Sequence, residues 1–64
     1  PAPPVVVPDS QKDAFYAALG ARYNRYNFRL HQALRLFEKA LEENPKNKEA
    51  AAYAKALRKE LRLE

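Results

Sequence analysis

Few side chains in this 64-residue chain can do chemistry, and their spacing decides what kind. There is one histidine, His31, one serine, Ser10, and no Cys or Thr. A nucleophile needs a base within hydrogen-bond reach and a third group to orient that base. His31 has neither nearby in sequence. As a metal ligand it lacks a second His or a Cys to complete a set. Glu42 and Glu43 are adjacent, so on a helix they diverge and form no carboxylate pair. The chain is therefore expected to be no enzyme and to hold no metal and no cofactor.

What remains is arginine and aromatic chemistry. Residues 14–37 carry Arg22, Arg25, Arg29 and Arg35 and no acid, a net charge of +4 that equals the excess of the whole chain. Arg22, Arg25 and Arg29 are spaced to share one face of a continuous helix, while Arg35 points elsewhere. Phe28 is the best single clue. In a continuous helix it lies near Ala14, Ala17, Ala21 and Asn24, with Arg25, Arg29, Gln32 and Arg35 around it. An aromatic anchor amid small residues and arginine is the composition of a protein-binding patch. The expected site is those nine residues, and the expected partner is a protein or an extended peptide.

Three other readings compete. Phe28 could pack into the core at a turn, with the arginine stems covering apolar surface. Tyr26 and Phe28 interleaved with arginine could be a nucleic-acid surface, although four arginines without a basic fold motif do not make nucleic acid the expected partner. A structural or self-assembling helical chain would need no foreign partner, so a homo-oligomer stays open.

These residues must be positioned by helices. Ala, Leu, Lys, Arg and Glu make up 38 of the 64 residues, the profile of an all-α chain. A chain this short buries only about 60% of its unfolded surface, so stability is hard to reach. With no disulfide to help, it must come from idealised helix packing, oligomerisation or binding. The narrow alphabet, charged helix surfaces and explicit caps are those of a designed sequence. No apolar run approaches the roughly 20 residues of a membrane span, and Val5–Val7 is too short for a signal-peptide core. The expectation is a soluble chain, off the membrane, with no assigned compartment.

Pro1, Pro3, Pro4 and Pro8 rule out helix in residues 1–8, which read as an extended arm or a tail. Residues 9–64 read as a single helical domain. Ser10 is placed to cap the first helix, with Asp13 as the capping-box acid. From there Phe15, Leu19, Tyr23, Tyr26, Leu30, Ala33, Phe37 and Leu41 recur at steps of three and four. That stripe supports one long helix over residues 10–43. Gly20, Asn24 and Asn27 oppose it as poor helix-interior residues, and Asn also tolerates the left-handed conformation that ends helices. Pro45 marks a boundary, Asn47 is a good cap, and a last helix over residues 48–62 carries a stripe of Ala50, Ala54, Leu57 and Leu61 with Tyr53 beside it.

Tyr16, Leu19, Gly20 and Tyr23, followed by Ala33, Phe37, Ala40 and Pro45, resemble the tetratricopeptide repeat, aromatic-x2-Leu-Gly-x2-Tyr followed by Ala-x3-Phe. The likeness covers residues 13–47, with one extra residue between Tyr23 and Ala33. It implies a helical hairpin closed by a capping helix. Gly20 would permit close packing, Phe37 would fill the gap left by Ala33 and Ala40, and Tyr16 and Tyr23 would pack on the neighbour. It also implies that Ala14, Ala17, Ala21, Asn24 and Arg25 line a peptide groove. The alternative fold is the long helix 10–43 followed by the short helix 48–62.

Overall fold

The structure, a computed structural model, describes residues 7–63. It is all-α. A short 3-10 turn over Asp9–Gln11 leads into α1 (Lys12–Tyr23), a second 3-10 turn over Asn27–Arg29 leads into α2 (Leu30–Glu43), and α3 (Lys48–Glu60) closes the chain. α2 is the central helix, with α1 and α3 each packed on it. Among the described residues no helix is long and apolar enough to cross a membrane. Most of the arm over residues 1–8, including Val5, lies outside the described residues.

The single helix over 10–43 does not form. α1 ends at Tyr23, Tyr26 turns extended (φ −114°, ψ 110°), and the chain re-enters helix through the Asn27–Arg29 turn. The physical reason lies in which residues find burial. The long stripe would face one side of an isolated rod, with nothing to cover most of it. Folding back instead buries Ala17 and Gly20 of α1 against Ala33, Leu34, Phe37 and Ala40 of α2. Two members of the stripe, Phe15 and Tyr26, are left exposed. The turn also differs from expectation in its backbone. Asn24 stays right-handed at φ −62°, and among the described residues only Arg62 has a positive φ outside glycine.

Small side chains make this packing close. Of the eight buried apolar residues, five are alanines (17, 33, 40, 50 and 54), so the helices can approach to the short end of the usual interaxial range, about 8 Å. The one large side chain fully enclosed is Phe37. One side of its ring faces Gly20, where an added Cβ would sit 2.9 Å from the ring tip. Tyr53 of α3 stacks on it, with centroids 4.6 Å apart and planes 2° from parallel. The expected roles of Gly20, Ala33, Ala40 and Phe37 hold, and Tyr16 and Tyr23 pack on the margin of this core.

The helix starts differ from one another. Asn47 caps α3 as expected, its Oδ1 accepting from the Ala50 amide at 2.9 Å. The capping box of Ser10 and Asp13 does not form, and no side chain caps α1. Asp13 is used elsewhere. Its Oδ2 accepts from Asn47 Nδ2 at 2.8 Å and from Asn44 Nδ2 at 3.1 Å, tying the start of α1 to the α2–α3 turn. These two donors, Asn47 first, lower the Asp13 pKa below the ordinary aspartate value. A lowered folded-state pKa adds stability that is present above the unfolded value, about 4, and is lost as pH falls through the folded value. Asp13→Ala should therefore melt below the parent at pH 7, with the difference narrowing at pH 2. Thermal denaturation followed by circular dichroism at both pH values checks this, and an equal difference at both would contradict it.

Candidate functional site

The turn between α1 and α2 builds a tip from local backbone geometry. The extended Tyr26 and the 3-10 turn after it throw two aromatic side chains outward together. Phe28 is 81% exposed and Tyr26 is 55% exposed, with ring centroids 6.1 Å apart. The Arg29 guanidinium lies 5.3 Å from the Tyr23 ring centroid and 5.4 Å from that of Phe28, so it bridges two π-faces. An open hollow of about 180 Å³ is lined by Tyr26, Phe28 and Arg29, and one of about 440 Å³ by Leu19, Arg22, Tyr23, Arg25 and Tyr26.

The tip is strongly basic. Among the described residues the ion pairs are Lys12–Asp9 at 2.9 Å and Arg58–Glu38 at 3.1 Å, and neither involves Arg22, Arg25, Arg29 or Arg35. Arg22, Arg25 and Arg29 line the hollows of the tip, and Arg35 lies further along α2. His31 stands exposed between Arg29 and Arg35. Among the described residues no three His, Asp or Glu side chains gather where they could share a metal ion.

The nine residues singled out from sequence do not form one patch. Arg25, Phe28 and Arg29 meet at the tip. Ala17 is only 3% exposed and belongs to the core, so it has no surface to offer a partner; helix periodicity put it beside Phe28 by continuing α1 through the break, and the tetratricopeptide likeness put it on a groove wall where it does not lie. Ala14 is exposed, and Ala21 and Asn24 are half-buried, along one flank of α1. Gln32 and Arg35 lie on the other side of the hairpin, in a groove with Leu19, Tyr23, Leu36 and Lys39. Ala14 and Ala21 stand about 140–180° around α1 from Leu19 and Tyr23. The expectation that a break near residue 24 would carry Phe28 into the core is also corrected: the break is present and Phe28 is the most exposed large apolar side chain.

The expected protein-binding site left out Tyr23 and Tyr26, because the long stripe assigned both tyrosines to the core; only the nucleic-acid alternative set Tyr26 with Phe28 among the arginines. The expected site also left out Leu36 and Lys39. The acid-free run of 24 residues was the one signal that marked this end of the molecule.

No family model matches the chain, and neither curated proteins nor solved structures give a match.

Proposed function

We propose that this is a non-catalytic helical miniprotein of designed origin that binds a protein or extended peptide, with the tip of the α1–α2 hairpin as its anchor. The observation that carries this reading is the exposure of Phe28. In a chain with so little core, a mostly exposed aromatic ring lies outside that core, and it stands beside a second exposed ring and a braced arginine. Aromatic and arginine side chains dominate the energetic centres of protein interfaces. An arginine already held between two rings has less conformational freedom to lose when it engages a carboxylate or carbonyl. Designed origin is supported by the narrow, helix-favouring alphabet and by a core built from very few residue types.

Peptide-display panning on the folded chain tests this. Selected binders should lose at least about 30-fold in affinity for Phe28→Ala, the effect of removing a hot-spot side chain worth about 2 kcal/mol. The melting curve should not move, since Phe28 lies outside the core. Binders that hold Phe28→Ala as tightly as the parent would show that the tip is not the site.

A further inference from the structure

A second surface lies along the hairpin on the side away from α3. Leu19 and Tyr23 of α1 and Gln32, Arg35, Leu36 and Lys39 of α2 line an open groove of about 260 Å³. Its floor is apolar, made by Leu19, Tyr23 and Leu36, each half-buried. Its α2 rim is cationic. Lys39 leans over the Tyr16 ring with Nζ 5.5 Å from the centroid, and Arg35 is exposed beside it.

The other side of α2 shows how this hairpin accepts a helix. α3 docks there through Ala50, Ala54 and Leu57, spaced as one helix face. The edge of that contact is closed by Arg58 of α3 on Glu38 of α2. So α2 offers an acid to the basic helix it already holds. Leu36 is about 160° around α2 from Glu38, and on that side the rim is basic instead. The open groove therefore repeats the covered one with its charge inverted.

We infer, building on the binding function proposed above, that the α1–α2 groove takes an amphipathic helix from a partner protein, its apolar face on Leu19, Tyr23 and Leu36 and its acidic edge against Arg35 and Lys39. This is the helix-in-groove mode, in which side chains at i, i+3 or i+4, and i+7 seat in an apolar trough. A second copy of this chain is the less favoured occupant: its α1 and α3 carry net charges of +1 and +2, and α2, at −1, is already packed between them with its Glu38 paired to Arg58.

The test uses the full chain and a fluorescent synthetic helix of about 18 residues, five turns, with Leu on one face and Glu on the other. The Glu helix should bind in low salt and raise the anisotropy, while the same helix with Lys in place of Glu should not. The double variant Arg35→Glu, Lys39→Glu should weaken binding at least about tenfold, because like charges then face each other across the rim. Both positions are exposed, so helicity by circular dichroism should be unchanged; Arg35→Gln, Lys39→Gln gives a milder version of the same loss. Lys55→Ala, exposed on α3 and outside the groove, should leave this affinity within about twofold. Equal binding of the Lys helix, or an unchanged affinity in the double variant, overturns the inference. So does displacement of the Glu helix by oligothymidylate, which would assign the rim to nucleic acid, or a dimer that the double variant abolishes, which would assign the groove to a second copy. Loss of Glu-helix binding in Phe28→Ala alone moves that helix to the tip, overturning the groove and leaving the binding function standing.

Discussion

Phe37→Ala is expected to unfold the chain. Phe37 is the one large side chain in a core otherwise built from alanine and two leucines. It contacts all three helices in effect: it belongs to α2, its ring tip meets Gly20 of α1, and its face stacks on Tyr53 of α3. Removing a buried Phe side chain typically costs about 3–5 kcal/mol, counting lost transfer energy and the cavity left behind. A domain of this length has about 3–10 kcal/mol in total, at the usual 0.05–0.15 kcal/mol per residue. The neighbours cannot collapse to recover the loss, because they are alanines and a glycine whose side chains have nothing to extend. Far-UV circular dichroism and urea titration of the purified variant would read this. A cooperative transition at the parent's midpoint would show that Phe37 is not the centre of the core.

Gly20→Leu is expected to give the second large loss, and Gly20→Ala a smaller one of informative sign. In an exposed helix interior, Gly→Ala stabilises by about 1 kcal/mol. Here the new Cβ would stand 2.9 Å from Phe37 Cζ and 3.0 Å from both Cε atoms. A ring tip could yield if it had space, but Tyr53 stacks on this ring and no part of Phe37 reaches solvent. Overpacking of this kind typically costs about 1–3 kcal/mol, which exceeds the propensity gain over most of its range. Gly20→Ala should therefore lower the urea midpoint, and Gly20→Leu should go beyond the top of that range. The cause is separable from glycine's backbone freedom, because Gly20 has an ordinary negative φ. In a Phe37→Leu background, where the ring is gone, Gly20→Ala should cost less than it does in the parent. Equal costs in both backgrounds would place the strain elsewhere.

Both predictions rest on a contact that is legible in the sequence. It is what the tetratricopeptide resemblance implies, because Gly20, Ala33, Phe37 and Ala40 match positions of that pattern. The α3 boundaries are local. Pro45 breaks the helix before it, Asn47 caps the one after, and the observed span of Lys48–Glu60 ends two residues before the expected one. Even the end of α3 has a local cause, with Leu63 N donating to the Arg58 carbonyl at 2.8 Å around a left-handed Arg62.

The candidate site was legible only in part. The acid-free stretch marks the basic end of the molecule, and Phe28 is an exposed ring there. The groups around them were not readable, because helical phase carries across a break by coincidence. Phe15, Leu19, Tyr23 and Tyr26 continue the stripe of α2, and the local signals against it, Gly20, Asn24 and Asn27, weaken that continuity without deciding it. Asp13 has the same history. Its position beside Ser10 suits a capping box, while its partners Asn44 and Asn47 are more than thirty residues away.

By itself, then, the sequence determined that the chain is helical, where the last helix starts, and where the positive charge sits. These follow from propensity, capping and short-range spacing, which act within a few residues. Tertiary structure decided that residues 12–43 fold back on themselves, that Ala17 is buried while Phe28 is exposed, and that an apolar groove opens opposite α3. Those outcomes depend on which surfaces compete for the same partner, and that competition is settled only when all three helices are packed at once.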